Sequence, residues 1–293
     1  MLTTFRYILS SLRIQQWIKN FFLFAALVFS GNLFRTDSLI LTLIGVALFS
    51  LVSSGVYIIN DLSDIERDKL HPVKSKRPLP SGKLPVPVAV VTAVVLLAAG
   101  LAGGFYHRPA FGAILLLYVV LNIAYSFKFK EMVILDVMTI AAGFVLRVVS
   151  GAVLIDVPIS EWLIICTILL SLFLGFSKRR HELTILEGHA DAHRSVLQHY
   201  SPYFLDQMIG IVTACTVMSY TLYTISPETV EKFGSKNLIW TLPFVLYGIF
   251  RYLYLIHKKE EGGNPTRLAL TDTPLVLNMV VWIVTASIII YRK

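Results

Sequence analysis

Residues 38–68 read SLILTLIGVALFSLVSSGVYIINDLSDIERD. From Ser38 to Asn60 no Asp, Glu, Lys or Arg interrupts the chain. The run is long enough to supply the ~20 helical residues that a hydrocarbon core requires. It then turns abruptly acidic. Asp61, Asp64 and Asp68 follow at spacings of three and four, which places them on one face of a continuing helix, with Asn60 one turn before Asp64. An apolar span joined directly to a carboxylate stripe reads as a membrane helix whose polar end carries chemistry, because ionisable groups at a bilayer are costly unless they are paired.

Working outward, the pattern of long apolar runs repeats. Val86–Tyr106, Pro109–Phe127, Gln207–Pro227 and Thr273–Tyr291 are uncharged, and Asn20–Phe34, Met132–Ile155, Trp162–Ser177 and Asn237–Phe250 are less clean runs of the same kind. Nine transmembrane helices are expected. Backbone polar groups must find partners inside lipid, so the fold class is an all-α polytopic membrane protein, with residues 1–293 as a single transmembrane domain. Composition agrees: 56% of residues are hydrophobic and only 15% charged, too few to solvate the surface of a soluble domain. No small-residue cleavage site follows the first run, which is therefore read as a span and not a signal peptide. Cys166 and Cys215 lie inside apolar runs and are expected to be packing residues, not a disulfide or metal pair.

Charge sets the orientation. With the N-terminus in the cytoplasm, 19 of the 26 Lys and Arg fall in inner segments, 6 in outer ones, and Arg147 inside a span. The same bias accounts for the net charge of +8 without a nucleic-acid partner. A multi-pass protein of the inner (plasma) membrane is expected, with its two long polar loops, Asp61–Pro85 and Lys178–Ser201, on the cytoplasmic face.

Three adjacent carboxylates repel one another, and a bound Mg²⁺ relieves that repulsion while sharing its oxygen ligands with substrate phosphates. Asn60 and Asp64 are the candidate metal ligands; Asp61, Asp64 and Asp68 are the candidate catalytic acids. A solvated helix end is the plain alternative. Behind the stripe runs His71-Pro72-Val73-Lys74-Ser75-Lys76-Arg77-Pro78-Leu79-Pro80-Ser81-Gly82. Acid followed by base suits a polyphosphate, with metal on some oxygens and Lys or Arg on others. Ordinary positive-inside charge explains any single lysine as well. The prolines stiffen this loop, Ser81-Gly82 is expected to turn it into the next span, and His71 is expected to be structural.

Asn60-Asp61-x-x-Asp64-x-x-x-Asp68, trailed by Arg77-Pro78-Leu79-Pro80-Ser81-Gly82, resembles the first aspartate-rich motif of the UbiA prenyltransferase superfamily. The resemblance implies a helical bundle around a central cavity, Mg²⁺ and a diphosphate-bearing substrate. The chain departs from the second Asp-x-x-x-Asp motif of that family. It has Tyr125-Ser126-Phe127-Lys128-Phe129-Lys130-Glu131, then Asp136 with Ile140 four residues on. Fewer carboxylates and more cations imply fewer metals and more phosphate.

Three further segments resemble one branch, the decaprenyl-phosphate phosphoribosyltransferases: Arg13-Ile14-Gln15-Gln16-Trp17-Ile18-Lys19-Asn20, Gly143-Phe144-Val145-Leu146-Arg147 and Lys178-Arg179-Arg180-His181-Glu182-Leu183. That resemblance implies two partners: 5-phosphoribose 1-diphosphate as donor and a polyprenyl phosphate as acceptor. A lipid phosphate oxygen would attack C1 of the ribose while diphosphate leaves. The nucleophile is already anionic, so no general base is assigned. Lys19, Tyr57, Lys74, Lys76 and Arg77 are candidates for the phosphates of the sugar. Lys128, Lys130, Arg147, Lys178 and Arg179 could serve either substrate, and Asp136, the residue of the reduced second motif, is a further substrate-binding candidate. Arg147 could instead pair with Asp136, and some of Lys178, Arg179 and Arg180 could merely snorkel at a helix end. The alternative activity is transfer of a prenyl group from its diphosphate to an aromatic or other acceptor. A transporter would call for polar or broken helices on both sides of the midplane, and the outer half shows none.

Overall fold

A computed structural model describes residues 2–70, 74–185, 195–259, 268 and 270–292. His71 lies outside the described residues, as do 186–194 of the second long loop. The described chain is helical, with no strand among the described residues. Short α1 (Leu2–Ser11) is followed by a 3₁₀ stretch, Ile14–Leu23, that runs directly into α2 (Phe24–Phe29). Then come α3 (Thr36–Ser63), α4 (Ile65–Leu70), α5 (Val86–His107), α6 (Pro109–Phe127), α7 (Leu135–Leu154), α8 (Glu161–Ile185), α9 (Pro202–Ile225), α10 (Pro227–Phe233), α11 (Leu242–Lys259) and α12 (Thr273–Tyr291). Among the described residues, eight helices are long and apolar enough to cross a membrane by length and composition.

The run expected to be the ninth, Asn20–Phe34, does not form one regular helix. It begins earlier, at Ile14, is wound as 3₁₀ for ten residues, and ends at Phe29. Long 3₁₀ runs are uncommon, and here several ties explain the distortion. Arg13, just before it, sits in the left-handed region at φ 52°. Asn20 donates to Ser50 Oγ at 2.9 Å and Trp17 to Ser54 Oγ at 3.0 Å, which anchors the stretch to α3. A rise of about 2.0 Å per 3₁₀ residue and 1.5 Å per α residue gives the combined element a length of about 29 Å, close to the ~30 Å hydrocarbon thickness.

Gly151 on α7 makes the tightest of these approaches. A Cβ there would lie 2.2 Å from the Leu23 carbonyl oxygen, and backbone cannot yield as a side chain can. Gly151→Ala is therefore expected to cost about 3 kcal/mol, the upper end for overpacking. Thermal unfolding in detergent checks it; an unchanged midpoint would show that the first element floats free of α7.

Four apolar clusters fill the bundle among the described residues, and two of them are the largest. One gathers Leu23, Phe49, Val52, Phe111, Leu115, Tyr118 and Leu154; the other gathers Val137, Phe173, Phe176, Leu197, Leu205, Ile249 and Leu255. α7 contributes to both, so it is the seam. On the outside, Val90, Val91, Val94 and Val95 of α5 and Val280, Val281, Ile283 and Val284 of α12 are exposed. That surface suits lipid and not water. Prolines open α6, α9 and α10 at their first turns, where their missing N–H is no loss. Ser201 and Asp272 cap α9 and α12. Gly82 turns the chain into α5 at φ 72°, as expected.

Alternating helices bring the C-terminal ends of α3, α6, α8 and α11 together with the N-terminal ends of α5, α7, α9 and α12. Side chains link these ends: Arg67–Glu131 at 2.7 Å, Arg180–Asp206 at 3.2 Å and Arg251–Asp272 at 2.8 Å. At the other end the Tyr291 hydroxyl donates to Val28 O at 2.8 Å and accepts from Leu33 N–H at 3.1 Å, tying α12 to the first element.

Candidate active site

The acidic stripe does not continue on one helix as its spacing predicts: Asp61 lies in the last turn of α3, Asp64 caps that helix outside helical geometry and Asp68 belongs to α4, so its members have different surroundings. Asp61 and Asp68 are each 3% exposed. Arg77, from the loop after α4, bridges them, with Nη1 3.0 Å from Asp61 and 2.8 Å from Asp68. Arg13 also pairs with Asp61 and lies 5.1 Å over the Tyr57 ring. Lys74 stands 3.7 Å from Asp68. The basic loop thus folds back onto the acids, and two of the expected catalytic acids hold its cations in place.

This gives Arg77 a stabilising role in addition to any contact with substrate. Arg77→Ala leaves two buried carboxylates without their shared cation, and one-sided removal of a buried pair costs about 3–5 kcal/mol. Because the Arg77 side chain is 31% exposed, about 3 kcal/mol or less is expected. Differential scanning calorimetry checks this, and Arg77→Lys should recover part of the loss.

Asp64 differs from its neighbours. Its side chain is 16% exposed; one oxygen accepts from Lys130 Nζ at 2.5 Å, and the other lies 3.5 Å from Asn60 Nδ2. Ser126, at the end of α6, donates to Asn60 Oδ1 at 3.0 Å. Asn60, Asp64, Ser126 and Lys130 therefore form one polar face across α3 and α6. No three His, Cys, Asp or Glu side chains converge into a self-sufficient metal cage among the described residues. The donor set fits an ion such as Mg²⁺, which typically takes one or two protein oxygens and fills its remaining positions from phosphates and water. Asn60 Oδ1 and the Asp64 carboxylate would hold it.

Asp136, the remaining acid of the second motif, is fully enclosed. Arg179 Nε donates to one of its oxygens at 2.6 Å and the Tyr200 hydroxyl to the other at 2.8 Å. Both oxygens of Asp136, a residue expected to bind substrate, are thus engaged by protein partners. It does not pair with Arg147. That arginine is 4% exposed and donates to Asn20 Oδ1 at 2.9 Å, Gly143 O at 2.8 Å and the Tyr118 hydroxyl at 2.8 Å. It is also packed among the rings of Phe49, Tyr118 and Phe144. Arg147 thus pins α7 to α3, α6 and the first element, and has no ion pair among the described residues.

Among the other candidates, Lys19 stands within electrostatic reach of Arg147, Arg13 and Tyr125. Lys178 is 3.7 Å from Glu182 and 40% exposed. Lys76 and Lys128 are exposed on the same end of the bundle. Residues absent from the expected set are Arg13, Ser126, Glu182 and Tyr200. Arg13, Ser126 and Glu182 sit inside segments that sequence alone had singled out; nothing local marks Tyr200.

An apolar helical bundle with a carboxylate-and-cation site gathered at one end defines a multi-pass membrane protein with a charged site. Residues 20–289 match the UbiA prenyltransferase family, and the chain belongs to it. A decaprenyl-phosphate phosphoribosyltransferase of Mycobacterium tuberculosis is 30% identical over 96% of this chain and 93% of its own length. The enzyme of that name from Corynebacterium glutamicum is 29% identical over 97% and 86%. The fold is similar to that of a UbiA homolog from Archaeoglobus fulgidus bound to GPP and Mg²⁺, at a TM-score of 0.71 and 20% identity, covering 97% of this chain and 99% of that one.

Proposed function

We propose that this enzyme transfers 5-phosphoribose from 5-phosphoribose 1-diphosphate to a polyprenyl phosphate and releases diphosphate, at a site facing the cytoplasm. The observation that carries this reading is the fate of the second acidic motif. Its one aspartate, Asp136, is consumed by Arg179 and Tyr200, which leaves a single face, Asn60 and Asp64, for metal. A donor with one diphosphate and one further phosphate, met by an anionic acceptor, needs one metal position and many cations. Arg13, Lys19, Arg77, Lys130 and Arg179 supply such cations, and the relatives that share the name phosphoribosyltransferase support the choice.

In this reading Asn60 and Asp64 would hold Mg²⁺, which when bound would offset the negative charge of the diphosphate leaving group. Lys130 and Arg77 receive the remaining diphosphate oxygens. An oxygen of the lipid phosphate forms the new bond to C1 of the ribose as the C1–O bond to diphosphate breaks, and the diphosphate leaves with the bonding pair. No proton needs to move, so no general base is assigned. Positioning and charge stabilisation supply the acceleration.

Product analysis tests it. Purified enzyme with Mg²⁺, radiolabelled phosphoribosyl diphosphate and a polyprenyl monophosphate should yield a phosphoribosylated lipid and free diphosphate. If only a prenyl diphosphate with an aromatic acceptor gives product, the phosphoribosyl reading is wrong and family membership alone stands.

A further inference from the structure

The guanidinium of Arg179 is held on two nitrogens, and its third has no hydrogen-bond partner among the described residues. Its side chain is 1% exposed. Nε donates to Asp136 and Nη1 to Glu182, each at 2.6 Å, yet Nη2 is buried without a hydrogen-bond partner among the described residues. A buried, unmade charged donor is expensive, so its persistence points to a partner that arrives from outside the chain.

What surrounds Arg179 is built for rigidity. The Tyr200 hydroxyl that donates to Asp136 also accepts the Ile134 N–H at 2.7 Å. Ile134 sits at φ 69° and ψ −46°, at the centre of a tight turn closed by Leu135 N–H to Val133 O at 2.8 Å. That conformation is an outlier for a β-branched residue and survives only where neighbours over-determine it. The start of α7, the end of α8 and the segment before α9 thus clamp one guanidinium. Burial, followed by the Asp136 hydrogen bond, raises the Tyr200 pKa above the usual tyrosine range, which keeps the hydroxyl a donor.

The clamp belongs to the same end of the bundle as the Asn60–Asp64 face. Tyr125, near the end of α6, is within electrostatic reach of both Arg179 and Lys19, and the next residue, Ser126, bonds Asn60. Asp136 and Glu182 hold the other two nitrogens of Arg179, so Nη2 has one directed bond to offer, which suits an oxygen of a phosphate monoester better than a metal-bridged diphosphate; with Lys19 and Lys76 assigned to the phosphates of the sugar, that bond falls to the acceptor. The planar fork of Arg179 gives direction that a lysine would not.

We propose that Nη2 of Arg179 binds an oxygen of the acceptor's phosphate, and that Asp136 and Tyr200 are the positioning residues that hold it there. In this chain the aspartate of the reduced second motif holds an arginine. The identity of the acceptor rests on the function proposed above.

The experiment is steady-state kinetics of the full chain in detergent, with Tyr200→Phe and Arg179→Lys beside the unaltered enzyme. Tyr200→Phe should raise KM for polyprenyl phosphate about tenfold, with KM for phosphoribosyl diphosphate changed less than twofold; Arg179→Lys should do the same more strongly. A fall in melting temperature with both KM values unchanged would reduce the clamp to packing and overturn the proposal. A rise confined to the KM for phosphoribosyl diphosphate would overturn it too, because the open donor would then serve the other substrate. If the unaltered enzyme turns over neither substrate of this pair, the proposed function fails, and inorganic phosphate becomes the probe. Thermal stabilisation by phosphate that is lost in both variants supports the clamp; stabilisation equal in all three enzymes overturns it.

Discussion

Asp64→Asn should leave a folded protein that turns over at least about 10³-fold more slowly, the scale expected when a charge-stabilising element of a polar site is removed. Asp64 is singled out by its surroundings, not by its rank in the motif. Asp61 and Asp68 are buried and committed to Arg13 and Arg77. Asp64 alone of the three retains exposure beside another oxygen donor, Asn60. The amide keeps the size and one oxygen of the carboxylate but loses the charge that a hard divalent ion prefers. EDTA should abolish activity of the unaltered enzyme in the same way. The measurement is kcat across a Mg²⁺ titration, with thermal unfolding as the control for folding. Unimpaired turnover at limiting Mg²⁺ would remove Asp64 from the metal, and a collapsed melting temperature would show that it matters chiefly as the partner of Lys130.

Much of this site is legible before any coordinates, because its chemistry is local in sequence. Asn60, Asp61, Asp64 and Asp68 lie close together in the chain, where hydropathy says the apolar span must end, although the helix breaks at Asp64 instead of continuing. Hydropathy also finds the eight long spans, since an uncharged run of the right length has few other uses. It does not find the 3₁₀ winding of Ile14–Leu23, which arises from tertiary ties: Asn20 to Ser50 and Arg147, and Leu23 against Gly151. The pairings are the least legible part. Arg77 reads in sequence as a phosphate ligand, and only the fold shows that Asp61 and Asp68 hold it. Asp136 meets Arg179 across 43 residues and Tyr200 across 64. No spacing rule encodes such distances, so the reduced second motif can be seen to lack an acid but not to have gained an arginine.

Lys130 yields the prediction that separates an electrostatic site from a merely stable one. Its ammonium is 8% exposed and 2.5 Å from Asp64, the carboxylate that would bind metal. In the structure Lys130 therefore neutralises Asp64, and a divalent cation must compete with it. When a diphosphate enters with the metal, Lys130 has oxygens of the substrate to turn to, so its charge is used in both states. Lys130→Met keeps most of the aliphatic stem and removes only the charge. Two effects of opposite sign should follow. Binding of Mn²⁺ in the absence of any diphosphate, read by electron paramagnetic resonance, should tighten, because Asp64 has lost its competitor. Turnover with phosphoribosyl diphosphate should fall roughly 10²-fold, because a cation aimed at the leaving group has gone. A purely structural lysine would give neither: metal affinity would stay or weaken along with the melting temperature, and kcat per folded molecule would hold. Tighter metal with unchanged turnover would mean that Lys130 guards Asp64 without touching the diphosphate, and the role assigned to it in the transfer would fall.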